Sequence, residues 1–186
     1  MLHHASFNAR DPQAVATVLA EMLVATAVRA PSPPFPEGAW FVCLGDDFGS
    51  LIEILPCGIV LDQKAPLGIG FDPNMRLRSG SHVLLSTPNS TETIQGIAAR
   101  MGWHSELIDA RLFKVLKVWV EDEILVEFLT PEIAPLYRAT FGWGGMATLN
   151  IKLRELESQM AVALAAKAAA TSQQGRKDEL VDATSP

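Results

Sequence analysis

Apolar positions along the chain keep two different rhythms, and the two alternate. After Asp11, Val15, Val18, Leu19, Met22 and Leu23 recur at the spacing of one helix face, with Pro12 at the first helical position. Ile94, Ile97, Ala98 and Met101 repeat that spacing after Asn89, and Gly102 stands where a helix would stop. The remaining apolar residues gather in short runs bounded by turn formers. These runs predict strands over 26–30, 39–44 and 50–55, the last two joined by Gly45-Asp46-Asp47. They also predict strands over 106–109, 112–120 and 124–129, the last two joined by Glu121-Asp122.

The two sets of elements are copies of one another. His4 opens one copy, seven residues before Asp11; His82 opens the other, seven residues before Asn89. Each Asx suits a turn or a helix N-cap. The last strands echo each other, Leu51-Ile52-Glu53-Ile54-Leu55-Pro56 against Leu125-Val126-Glu127-Phe128-Leu129-Thr130. The offset is 78 residues at the histidines and 74 at the glutamates, so the copies differ by one short loop. The fold class is therefore α+β, with two βαβββ modules over 1–60 and 81–132. A Gly- and Pro-rich linker over 61–80 joins them, and Pro31-Ser32-Pro33-Pro34-Phe35-Pro36 forms a stiff extended loop within the first. The segment 133–170 reads as a hinge at Phe141-Gly142-Trp143-Gly144-Gly145 followed by a helix. In that helix Leu149, Leu153, Leu156, Met160 and Leu164 form an apolar stripe. The stripe fits either docking on the chain's own module or pairing with a second subunit. The polar stretch 171–186 reads as a disordered tail.

Composition narrows the function. A net charge of −6 and the lack of any basic stripe argue against nucleic acid as a partner. No apolar run approaches the ~20 residues that span a bilayer, and no secretory leader is visible, so no membrane partner and a cytoplasmic location are expected. Cys43 and Cys57 are too few for a disulfide framework and read as reduced thiols.

The glutamates carry the chemical signal. Glu53 shares a strand face with Leu51 and Leu55, Glu127 with Leu125 and Leu129, and both have apolar neighbours on the other face as well. Burying a bare carboxylate costs several kcal/mol. Two of them at equivalent places in a duplicated unit call for a shared purpose. Register selects His4 as the mate of His82; His3 falls on the opposite face, and His104 reads as a loop residue past the second helix. Two imidazoles and two carboxylates suit a divalent ion such as Zn²⁺, Ni²⁺, Co²⁺, Mn²⁺ or Fe²⁺.

In these residues the chain resembles the vicinal oxygen chelate superfamily, which includes glyoxalase I, extradiol dioxygenases and the fosfomycin and bleomycin resistance proteins. The resemblance covers residues 1 to about 132. It implies paired modules curled as a mixed sheet around a metal-binding cleft, with ligands on the first and last strand of each module. The positions that match are His4, Glu53, His82 and Glu127, a pattern similar to bacterial glyoxalase I. Asn8 stands where that enzyme has an Arg for the glutathione carboxylate, and Cys57 where it has an Asn, so the resemblance does not assign glutathione. What it implies is a metal-dependent lyase or isomerase. The substrate would be a small molecule chelated through adjacent oxygens and passing through an enediolate-type intermediate. Glu127 would act as base, with Glu53 sharing the role. Alternatives of the same fold are an Fe(II) ring-cleaving dioxygenase and a metal-free antibiotic-binding protein. Asn8, Ser86, Lys117 and Trp119 are candidate substrate contacts, with Ser6 and Lys114 beside them, and a homodimer is the expected assembly.

Overall fold

The structure, a computed structural model, describes residues 3–32, 34–65, 68–77, 80–142 and 144–182. The chain divides into two compact units, 1–137 and 138–186.

In the first unit, β1 (His4–Ala9), α1 (Pro12–Leu23), β2 (Thr26–Arg29), β3 (Trp40–Cys43) and β4 (Leu51–Pro56) build one module. Its sheet has the order β1-β4-β3-β2, with β1 parallel to β4 and the other pairs antiparallel. A short hairpin, β5 (Ile59–Leu61) and β6 (Ile69–Phe71), occupies the segment read as a linker. The second module repeats the first: β7 (His82–Ser86), α2 (Thr91–Arg100), β8 (His104–Asp109), β9 (Lys114–Val120) and β10 (Ile124–Leu129). Its order is β7-β10-β9-β8, again with the first and last strands parallel. The α+β class and the duplicated βαβββ frame hold. His104 is a correction, because it opens β8 rather than lying in a loop; its side chain is exposed.

The helices begin and end on local chemistry. Asp11 caps α1, its carboxylate accepting the Ala14 N–H at 2.9 Å, and Pro12 follows without the amide hydrogen that a first turn leaves unpaired. Ser90 caps α2 and accepts the Thr93 N–H at 3.2 Å; Gly102, at φ +71°, ends that helix. Asn89 therefore does not play the part of Asp11. Its amide instead donates to the carbonyls of Glu21 and Met22, 3.0 and 3.1 Å away, and the Thr87 hydroxyl also donates to Met22. The C-cap backbone takes the Ala20 and Glu21 carbonyls, and the second module adds donors to Glu21 and supplies those of Met22.

One core joins the modules. Leu19 and Met22 of α1 pack with Ile94 of α2, with Val42, Ile52 and Ile54 of the first sheet, and with Leu116, Val118, Val126 and Phe128 of the second. The alternation of side chains along a strand then dictates the rest: whatever faces this core in one residue, its neighbour faces away. On the second sheet the outer face carries a smaller cluster, where Ile133 and Ala134 cover Leu84, Val115 and Leu129. Phe113 and Tyr137 meet edge to face beside them, with ring centroids 5.6 Å apart.

Helix α3 (Ala134–Phe141) starts in the first unit and was not anticipated from the sequence. Helix α4 (Met146–Asp182) follows a turn at Gly144 and Gly145 and continues through most of the segment read as a tail. Trp143 of the expected hinge, and residues 183–186, lie outside the described residues.

Candidate metal centre

Strand alternation fixes where the four candidate ligands project. Phe7 and Ala9 of β1 and Ile52 and Ile54 of β4 face the core, which turns His4, Ser6, Asn8 and Glu53 to the outer face of the first sheet. Val83 and Leu85 of β7 and Val126 and Phe128 of β10 do the same on the second sheet, turning His82, Ser86 and Glu127 outward. The registers are equivalent. His4 stands opposite Leu51 and Glu53 opposite Ser6; His82 stands opposite Leu125 and Glu127 opposite Leu84. Each histidine is therefore diagonal to its glutamate on the same face, within reach of it.

The structure brings the four together as two pairs. His82 Nε2 lies 3.6 Å from a carboxylate oxygen of Glu127, whose side chain is only 13% exposed. In the first module, half-burial raises the Glu53 carboxyl above its ordinary value of 4.5, and the nearby His4 acts in the opposite direction. Among the described residues no three His, Cys, Asp or Glu side chains cluster closely enough to hold a metal ion within one chain. The two pairs sit on different sheets, each on the face turned away from the core those sheets share.

The donor chemistry fits a divalent ion. Imidazole nitrogens and carboxylate oxygens, one of each per pair, suit Zn²⁺, Ni²⁺, Co²⁺, Mn²⁺ and Fe²⁺. Neither carboxylate is consumed structurally. Among the described residues Glu127 has His82 and, at 3.9 Å, the ammonium of Lys117 beside it, both beyond hydrogen-bond length.

The other expected site residues separate into used and available. Asn8 is used, because its amide donates to the carbonyls of Pro56 and Ile59 at 2.9 and 2.8 Å and ties β1 to the start of β5. Lys114 is engaged with Asp109 at 3.4 Å. Lys117 and Trp119 lie on the outer face of the second sheet, opposite Glu127 and Leu125. Ser86 is exposed at the end of β7. Ser6 lines a cavity of about 230 Å³ with Asn8, Met75, Arg76 and Leu77.

The Phe35–Phe41 contact and Arg76 escaped the sequence reading, which had the proline-rich loop as either the rim of a pocket or a plain connector. The proline-rich loop returns Phe35 onto Phe41, ring centroids 4.8 Å apart and edge to face, and Phe41 is the cross-strand neighbour of Glu53. An aromatic wall therefore stands beside that carboxylate, and the loop borders the site. Arg76, from the joining segment, lies over Ser6 and Asn8 at the edge of the first sheet. One of two arginines, Arg76 and Arg78, in a Gly- and Pro-rich stretch carries no pattern that could have announced it.

No family model and no curated protein matches the sequence. Solved structures do match. A Bacillus anthracis protein assigned to the glyoxalase family is 14% identical with a TM-score of 0.48, over 70% of this chain and 93% of its own. The fosfomycin resistance protein FosX from Mesorhizobium loti is 15% identical with a TM-score of 0.43, over 70% and 90%. FosX from Listeria monocytogenes, solved with Mn(II) and sulfate, is 12% identical with a TM-score of 0.44, over 70% and 88%. The likeness concerns the arrangement of strands and helices and assigns no substrate.

Proposed function

We propose that this protein is a metal-dependent lyase or isomerase of the glyoxalase type. Its divalent ion is held by a His4–Glu53 pair and a His82–Glu127 pair, and the two pairs meet across a homodimer. The observation that carries the reading is the duplicated outward-facing His–Glu pair in matching register, with carboxylates that no hydrogen bond claims among the described residues. A structural role would account for one such pair. It does not account for the same pair at the same register twice, at the desolvation cost that each carboxylate carries.

The geometry of one chain supports the dimer. The core holds the two sheets so that each pair looks away from it, and one chain therefore offers two half-sites. A two-fold partner laid with its second module against the first would complete both. The ion, when bound, supplies Lewis-acid stabilisation to charge developing on two adjacent substrate oxygens. Glu127, little exposed and flanked by His82 and Lys117, takes a proton from one substrate carbon and returns it to the next. The Phe35–Phe41 wall excludes water on the Glu53 side and favours an apolar substituent there.

Metal analysis of purified protein tests the proposal. One equivalent of divalent ion per chain is expected, lost in His82→Ala and in Glu53→Ala, together with turnover of a member of a panel of 2-oxoaldehyde thiol adducts, acyl-CoA thioesters and fosfomycin. Protein that takes up no stoichiometric metal refutes it. Metal retained at full affinity in Glu53→Ala, with turnover of catechols, moves the assignment to a ring-cleaving dioxygenase.

A further inference from the structure

We propose that α4 pairs with α4 of a second copy of this chain as a parallel, in-register coiled coil. Among its apolar positions Leu149, Leu153, Leu156, Met160 and Ala163 alternate steps of four and three residues, while Ile151, Val162 and Leu164 stand outside that line. Alternating steps of four and three are the a and d spacing of a two-stranded coil. Leu149, Leu156 and Ala163 take the d positions, Leu153 and Met160 the a positions. Leu at d is the choice of parallel dimers. Met160 is 47% exposed and Leu164, flanking the seam at e, is 64% exposed, so apolar surface stands open along this line.

Charge identifies the occupant and its direction. Lys152 falls at g, and Glu157, five residues on, falls at e of the next heptad. In a parallel pair those two positions face each other across the seam, so Lys152 of each copy meets Glu157 of the other, twice per dimer. An antiparallel pair sets g against g and e against e and forfeits both contacts. Among the described residues Lys152 has no acidic partner in its own chain, while Arg154 pairs with Glu157 from the outer side of the helix. Ser158, at f, lies opposite the seam.

Cysteine cross-linking of the full chain in a Cys43→Ser, Cys57→Ser background tests the pairing. Leu149→Cys and Leu156→Cys, made separately, are both expected to form disulfide-linked dimers under mild oxidation, while Ser158→Cys stays monomeric on a non-reducing gel. Lys152→Glu in the Leu156→Cys chain is expected to lower the cross-linked fraction, and the Lys152→Glu, Glu157→Lys swap to restore it. Cross-linking at only one d position points to an antiparallel pair; cross-linking at neither above the Ser158→Cys level points to docking on the chain's own module. Either result overturns the proposal. Metal plays no part in the readout, so this test and that of the metal centre fail independently.

Discussion

Replacing Glu53 by Gln is expected to stabilise the metal-free protein at neutral pH. The side chain is half-buried between Phe41 and Ser6 across the sheet, with Leu51 and Leu55 along its own strand, and none of the described residues donates a hydrogen bond to it. A fully buried bare carboxylate costs several kcal/mol. Partial exposure and screening by solvent reduce that to about 1 kcal/mol here, and His4 offsets part of it. An amide of the same shape avoids the charge, so the melting temperature in the presence of a chelator should rise by roughly 3 °C for a unit of this size. The pH dependence has a definite sign. Because the folded carboxyl titrates above its ordinary value of 4.5, protonation favours the folded state. That contribution is fully present below the ordinary value and is lost as pH rises through the folded one. Wild type and variant should therefore melt together near the acid end and diverge toward neutral pH. Adding the ion should invert the order, since the wild type gains a ligand that the variant lacks. Thermal melts across that pH range, with and without metal, supply the measurement. A variant less stable than wild type in chelator at neutral pH would show that the carboxylate serves the fold, and the argument for a site would lose its energetic basis.

Two further expectations concern the frame that holds the site. Val24 ends α1 at φ +55°, a left-handed conformation that is strained for a β-branched residue, and its side chain is 66% exposed. Val24→Gly should therefore raise stability by about 1 kcal/mol in denaturant titration, and a loss would refute the strain. Asn89→Ala removes both amide contacts to the α1 carbonyls and should cost about 1–2 kcal/mol, with hydrogen exchange quickening first at residues 21–25; unchanged exchange there would place the link between modules elsewhere.

How legible the molecule was in its sequence depended on whether a feature repeats. Both helices and the eight strands read for the two modules fall close to their observed places, because amphipathic period and turn chemistry agree over each. The strand faces of Glu53 and Glu127 were read from alternation, and the match of His4 with His82 from their spacing to Asp11 and Asn89. The pairing of first with last strand came only through the resemblance. Of the features without a repeat, the C-terminal helix was read from its apolar stripe and two others were missed. The β5–β6 hairpin has no echo in the second module, and α3 has none in the first. Asn89 misled for a related reason. Its position echoes Asp11, but Ser90 takes the cap and frees the amide for a contact that exists only because α1 lies beside it. Asn8 likewise looked like a cleft residue by position, and two backbone carbonyls claim its amide. Tertiary neighbours decided both cases, and no local pattern records them.

The duplication makes the dimer testable without knowing the substrate. If each metal centre takes one pair from each chain, a His4→Ala chain alone and a His82→Ala chain alone both lack every complete site. Mixed and reassociated, they form heterodimers in which one centre carries both substitutions and the other carries neither. Half of the dimers are mixed at equal input, so about a quarter of all centres should recover metal, measured as bound ion per chain after desalting. Centres closed within a single chain would recover none, because every chain carries a lesion. That outcome would require the two outer faces to meet within one chain, against the single core that now holds them apart. Recovery near a quarter would instead make the half-site the unit that was duplicated, with the second copy of the chain as its complement.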